Sequence, residues 1–489
     1  MNGLEDRIRR LRPLPSALWI DGREVPGGAG SVMEVRDPAT GALLTTVPRG
    51  TATDVDAAVM AARRAFASFR LTAAADRGRL LMRIAALLRE EARDFAEVET
   101  LQTGKPLNES LGDVTGAATL IEYYAGAADK VQGDTIPGPA GTVIFTLVEP
   151  VGVTGHIVPW NFPLGTAIRG FAPAVATGNT IVLKPAEQTP LTVLMFARLL
   201  ARAGLPAGVF NVVTGLGAEV GAAMSAHPGI AHMTFTGSVG AGQAVMKGAA
   251  DHIGSVTLEL GGKSPIIVLD DADTDRAVAG VVKGIFRNAG QVCSAGSRLV
   301  VMRSRFDEVV GRVIDATRAM TFGHGLDDPS FGPLISSVQA GRVAGFVERA
   351  AREGSEILSG GHAVEVQGLP LGRFYAPTLV TAVSPAAEIV REEVFGPVLT
   401  VQAVADPEEA FTTAAASRYG LCAGVFTRDI GRALTIARDL EVGQVWINDY
   451  FVGGPETPFG GVKDSGFGRE RGLVALQNYC RVKSVAIRL

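Results

Sequence analysis

Apolar residues recur at helical spacing early in the chain and at strand spacing later, with the rhythm changing near residue 150. Val55, Val59, Ala62, Phe66 and Phe69 fall on one face of a helix predicted over 54–70, with Thr53 as its expected N-cap. A second amphipathic helix is predicted over 76–94, with Leu80, Leu81, Ile84, Leu87 and Leu88 on its apolar side. The stretch 141–148 then reads as strand. From residue 150, short apolar runs at Thr180–Lys184, 209–213, 233–236 and 256–260 alternate with helical segments at 191–203 and Val239–Ala250. Such alternation predicts an α/β fold with a parallel, doubly wound sheet and helices on both faces. A second run of the same kind follows: strand 265–269, helix 273–289, strand Arg298–Met302, then helices over about 304–318 and 337–353. No Pro/Ser-rich linker separates the two runs, so two packed lobes with a site between them are expected. No internal repeat or low-complexity segment is visible.

Composition narrows the function classes. A chain of 489 residues can bury a large core and is long enough for two or three domains. Its 47% hydrophobic and 20% charged residues suit an ordinary globular protein. A net charge of −4 without a basic run argues against nucleic acid as a partner. The 3 cysteines (Cys293, Cys422 and Cys480) and 6 histidines are too scattered for a disulfide framework or a metal cluster. They suit a reducing compartment, and cytoplasmic localisation is expected. No apolar run approaches the roughly 20 residues of a membrane span. Arg7, Arg9, Arg10 and Arg12 stand beside Glu5 and Asp6 without an apolar signal core, so a short solvated leader is expected rather than a transit peptide.

Three groups of residues could carry chemistry. Phe235-Thr236-Gly237-Ser238-Val239-Gly240 reads as strand, glycine turn and helix start, where backbone N–H groups and the helix dipole favour pyrophosphate. Taken alone, the same turn could serve packing only. Lys184 and Glu187 follow a strand, at the sheet edge where open α/β folds bind ligands; alone, they could equally form a solvated ion pair. Glu187 could accept from a ribose and repel a 2′-phosphate, which favours NAD over NADP. Cys293, embedded in Asn288-Ala289-Gly290-Gln291-Val292-Cys293, is a candidate nucleophile. Glu259, in Glu259-Leu260-Gly261-Gly262-Lys263, is a candidate base for a hydrolytic water. Asn161, in Pro159-Trp160-Asn161-Phe162-Pro163, could donate to an oxyanion together with the Cys293 N–H, or could cap the helix that Pro163 opens.

Together these segments resemble the NAD(P)-dependent aldehyde dehydrogenase superfamily over nearly the whole length, at 159–163, 184–187, 235–238, 259–265, 290–293, 393–397 and 458–470. The resemblance implies Cys293 as nucleophile, Glu259 as general base and Asn161 as oxyanion donor. It implies an NAD site in which Lys184 and Glu187 meet the adenosine ribose and Gly237 and Ser238 the pyrophosphate, with Trp160 nearby. Glu393 and Phe395 would hold the nicotinamide ribose and ring. Glu470 would be a second acid in a proton relay, or half of a structural ion pair. The implied fold has a Rossmann-type NAD-binding domain (1–129 and 150–260), a catalytic α/β domain (261–474) and a small β oligomerisation arm (130–149 and 475–489). A homodimer or homotetramer follows. CoA-acylating relatives lack the glutamate, so Glu259 implies hydrolysis to the free acid.

For the substrate, Arg169 and Arg287 match positions where succinate-semialdehyde dehydrogenases hold a distal carboxylate, and arginine suits that task. Aromatic-aldehyde enzymes share Arg169, and the segment Asp449-Tyr450-Phe451-Val452 lacks the serine pair of the succinate-semialdehyde enzymes. Tyr450 and Phe451 could line an aromatic pocket instead, and both arginines could be structural ion pairs. Two other readings stand beside the main one: a phosphorylated-aldehyde dehydrogenase, and a catalytically silent binding or structural protein on the same fold.

Overall fold

The computed structural model describes residues 10–28, 30–381 and 384–489. Arg7 and Arg9 of the expected leader lie outside the described residues; Arg10 is ion-paired with Glu97.

The helix expected over 54–70 runs Ala52–Phe69, and its cap is Thr51 rather than Thr53. Asp54 decides this, because its carboxylate accepts the Thr51 N–H at 2.8 Å while Thr51 Oγ1 accepts the Asp54 N–H. That reciprocal capping box satisfies donors that a cap at Thr53 would leave open. The helix expected over 76–94 is two helices, Ala74–Glu90 and Ala92–Thr103, separated by Glu91 at φ −97° and ψ 10°. With Leu107–Ala127 and Pro163–Ala176 they bury Leu81, Ile84, Phe95, Ile121 and Phe171 in one core.

That core covers an eight-stranded sheet. Its order is Arg23–Val25, Leu18–Ile20, Phe210–Val212, Thr180–Lys184, Val153–Ile157, His232–Thr236, Ser255–Glu259 and Gly466–Phe467. The five strands from Phe210–Val212 to Ser255–Glu259 are parallel. From Val153–Ile157 the chain moves outward through Thr180–Lys184 to Phe210–Val212, then returns to add His232–Thr236 on the other side. Strand order therefore reverses at Val153–Ile157, the place where open α/β sheets bind ligands, outside the carboxyl ends of the strands.

A seven-stranded sheet follows, in the order Glu356–Ser359, Thr378–Thr381, Val398–Val404, Arg298–Met302, Pro265–Val268, Cys422–Phe426 and Gln444–Ile447. The chain first crosses between the sheets through residues 260–264. Glu259 thus ends the first sheet a few residues before Pro265 starts the second. The late strand Gly466–Phe467 returns to pair with Leu258 and Glu259 at the edge of the first sheet. A separate three-stranded sheet pairs Cys480–Arg488 with all of Thr142–Pro150, and the latter with Thr135–Ile136. Residues 475–479 belong to a short 3₁₀ segment whose Ala475, Leu476 and Tyr479 are buried in the core, so the C-terminal strand starts at Cys480.

Candidate active site

Both sheets aim loops at the crossing between them. Glu259, 2% exposed at the end of its strand, has no hydrogen-bond partner on either carboxylate oxygen among the described residues. Burial, reinforced by neighbouring Glu470, raises its pKa well above the usual carboxylate range, against the pull of Arg169, Arg469 and Arg471. A carboxyl group in such surroundings is more basic than one in water.

Cys293 lies on the loop between the helix Thr274–Phe286 and the strand Arg298–Met302. The helix expected over 273–289 stops at Phe286, because Asn288 (φ 48°) and Ala289 (φ 53°) are left-handed, followed by Gly290 at φ 71°. Three successive left-handed residues cannot continue a right-handed helix, and two of them are not glycine. A side chain at Gly290 would place its Cβ 2.1 Å from the Gly396 carbonyl oxygen. Contacts from distant elements hold this conformation. Glu109 accepts the Asn288 N–H at 3.0 Å, Tyr450 donates its hydroxyl to the Ser294 carbonyl at 2.9 Å, and Ile335 N–H donates to Gln291 Oε1 at 3.0 Å. Burial pushes the Cys293 thiol up to about 11, with Arg169 opposing. The thiol is therefore protonated at neutral pH.

Asn161 comes from the loop after Val153–Ile157, at the strand-order reversal. Its Nδ2 donates to the Gln291 carbonyl at 2.8 Å, so the amide docks on the backbone of the cysteine loop. The capping alternative does not hold, since Phe162 is the N-cap of the helix Pro163–Ala176, which Pro163 opens as expected.

Arg169 points from that helix to Glu470, with Nη1 3.0 Å from Oε2. Both side chains are almost wholly buried, and Arg169 also lies over the Phe459 ring at 5.1 Å. Arg287 is elsewhere: it reaches Asp113 at 2.6 Å and Glu109 at 3.8 Å, over the Phe162 ring. Each arginine already has a carboxylate partner, so a substrate carboxylate would have to compete with Glu470 or Asp113. The ion-pair alternative fits both.

The candidate cofactor residues form two groups. In the first, Lys184 Nζ lies 3.2 Å from Glu187 Oε1, and the same oxygen accepts the Gly217 N–H at 2.6 Å. Lys184 is 2% exposed while the Glu187 side chain is 30% exposed, so the pair is open to solvent on its acidic side only. Gly237 leads into the helix Val239–Ala250, with Ser238 as N-cap, and a Cβ at Gly240 would meet nothing within 4 Å. Open space above a capped helix start suits a pyrophosphate. Nearer the thiol, Glu393 accepts the Gly262 N–H at 3.0 Å, and burial raises its pKa to about 7. Trp160 and Phe395 meet edge-on at 5.3 Å. Gln339 and Arg342 donate to the Phe395 and Glu393 carbonyls, each at 2.7 Å.

Several residues at this site escaped the sequence reading. Lys105 is fully buried, 2.7 Å from Asp113 and over the Phe162 ring at 4.1 Å. Glu109 and Asp113, spaced i, i+4 on Leu107–Ala127, were the available signal for an acidic face there. Lys263, buried beside Arg298 with no partner on Nζ among the described residues, has its pKa lowered to about 7 by burial. Arg471 directly follows the matched segment 458–470. Tyr450, considered as a pocket wall, instead packs fully buried against Trp446 and Phe451.

Among the described residues no group of three or more His, Cys, Asp or Glu could hold a metal ion, and no helix is long and apolar enough to cross a membrane. The aldehyde dehydrogenase family model matches residues 25–485. DhaS of Bacillus subtilis (strain 168) is 44% identical over 476 residues, covering 96% of this chain and 95% of that protein. The hydroxyisobutyraldehyde dehydrogenase of Mycolicibacterium austroafricanum is 43% identical over 476 residues, 97% of this chain and 94% of its own. The crystal structure of betaine aldehyde dehydrogenase from Staphylococcus aureus in complex with NAD+ superposes with a TM-score of 0.97 at 38% identity, over 100% of this chain and 98% of that one. The chain belongs to the aldehyde dehydrogenase family and is an oxidoreductase acting on aldehydes.

Proposed function

We propose that this chain oxidises an aldehyde to the carboxylic acid with NAD, through a thiohemiacetal and a thioester on Cys293. The observation that carries this reading is the meeting of Cys293, Glu259 and Asn161 where the two sheets adjoin. The NAD+-bound relative supports the cofactor, and the carboxylate of Glu187 supports NAD over NADP. When bound, the nicotinamide accepts a hydride. The residues do the rest. Cys293, after giving its proton to solvent, attacks the aldehyde carbon, and Asn161 Nδ2 with the Cys293 N–H donates to the resulting oxyanion. Its present acceptor, the Gln291 carbonyl, holds the Asn161 amide beside the cysteine loop. Glu259 takes a proton from the water that cleaves the thioester, and its raised pKa suits that transfer. Glu470 is assigned to the ion pair with Arg169, which sets charge behind Glu259.

In this reading 1–129 and 150–260 bind NAD, 261–474 carries the nucleophile, and 130–149 with the strand Cys480–Arg488 join subunits into a dimer or tetramer in the cytoplasm. The exposed Val482 and Ile487 on the Cys480–Arg488 strand support the last assignment. The substrate is an aldehyde with an acidic tail or an aromatic one. The test is cofactor reduction with a panel of succinate semialdehyde, benzaldehyde and butanal, using NAD and NADP in parallel. Turnover that disappears in Cys293→Ala supports the proposal; no turnover across the panel overturns it in favour of a silent protein.

A further inference from the structure

Arg471 is a cation beside the thiol for which the mechanism above has no task. The residue is left-handed, with φ 58°, and its backbone is held from both sides. Phe459 N–H donates to the Glu470 carbonyl at 2.6 Å, and Glu470 N–H returns a bond to Phe459 at 2.7 Å. Gly472 N–H donates to the Pro455 carbonyl at 2.8 Å, and the Tyr124 hydroxyl donates to the Gly472 carbonyl at 2.9 Å. A side chain with a strained backbone and four such bonds beside it has a determined direction.

The guanidinium lies over the Phe459 ring, 5.5 Å from its centroid, and the same ring carries Arg169 at 5.1 Å. Both arginines interact electrostatically with Cys293 and with Glu470, and Arg169 disfavours the charge on Arg471. They differ in partners. Arg169 holds Glu470 at 3.0 Å and Thr166 at 3.3 Å. Arg471 has no carboxylate within 4.0 Å and no side-chain hydrogen bond among the described residues. Burial holds its pKa down to about 10. Arg471 is half-buried rather than sealed off, so its guanidinium stays open to an entering anion, which would gain charge-assisted hydrogen bonds there. Arg169 and Arg287 already hold Glu470 and Asp113, whereas Arg471 has no such partner among the described residues.

We propose that Arg471 is a specificity-determining residue, whose guanidinium, supported on Phe459, receives the carboxylate of an acidic aldehyde whose carbonyl reaches Cys293. Arginine's planar fork suits that group. The proposal rests on the aldehyde-oxidising reading above and names its substrate class.

The test uses the full chain with NAD and compares succinate semialdehyde with butanal by kcat/KM. The wild type is expected to favour the acidic aldehyde. Arg471→Leu is expected to lower the acidic-to-neutral ratio by about tenfold or more, and Arg471→Lys to keep a larger share of it. A purely structural role would depress both substrates alike, and an unchanged ratio would overturn the proposal. So would a wild type without preference for the acidic aldehyde. In wild type, succinate is also expected to inhibit butanal oxidation competitively where uncharged succinamide does not, which decides the matter if the leucine variant fails to fold; equal inhibition by both overturns it. Wild-type turnover of butanal that depends on Cys293 keeps the aldehyde-oxidising reading intact whatever Arg471 does, whereas no turnover of any aldehyde removes both.

Discussion

Arg169 and Glu470 form an ion pair at 3.0 Å in the interior, behind the carboxylate of Glu259. Residues far apart in sequence thus set one another's charge beside the thiol. Burial raises the pKa of Glu470, and Arg169 counteracts it.

Removing one member of such a pair leaves the other charge buried and uncompensated, at a cost of about 3–5 kcal/mol. Arg169→Leu and Glu470→Leu are each expected to lower Tm clearly. The double variant should lose less than the sum of the two, measured by thermal unfolding at fixed protein concentration. Strict additivity would show that the pair is not coupled.

The thiol offers a pH test. Burial raises the pKa of Cys293 to about 11, so the reactive thiolate is a small fraction at neutral pH and grows as pH rises. Alkylation of Cys293 by iodoacetamide, without cofactor, should still be accelerating above about pH 9, where an ordinary thiol of pKa ~8.5 begins to level off. A plateau near pH 8 would mean that the resting thiol is not desolvated as described.

Asn161 donates to the backbone of the cysteine loop, and in the proposed mechanism the same amide donates to an oxyanion. Asn161→Ala is expected to reduce kcat by about 10²–10³, with a smaller effect on KM. Steady-state rates at saturating NAD check this; a change confined to KM would assign the amide to binding.

Glu187 accepts from Gly217 and Lys184, and a 2′-phosphate placed there would meet its negative charge. Replacing it by glutamine should raise NADP efficiency relative to NAD by several-fold. The ratio of kcat/KM for the two cofactors is the readout. A ratio that stays constant would move cofactor selection away from this carboxylate.

Local pattern carried the regular elements well. Thr180–Lys184, Val239–Ala250 and Arg298–Met302 have the bounds expected from sequence, because apolar periodicity there agrees with glycine and polar punctuation at both ends. The misses have tertiary causes. The helix ending at Phe286 stops early because Glu109 and Gly396, distant in sequence, hold Asn288 to Gly290 left-handed. The first cap moved to Thr51 because Asp54 completes its box and also holds the Gly28 N–H. Motif residues at the site were legible as residue types in order. Their charge partners were not, since Asp113 meets Arg287, and Glu470 meets Arg169, only in the folded chain.

Glu259 provides the most direct test of the two-step oxidation. Its carboxylate, buried without a hydrogen-bond partner among the described residues, is assigned to the water and not to the sulfur. Glu259→Gln, mixed with aldehyde and NAD, should reduce about one NAD per site and then stall. Intact-mass spectrometry should then show an acyl group on Cys293. Continued turnover without a trapped acyl-enzyme, or no cofactor reduction at all, would contradict the division of labour between Cys293 and Glu259.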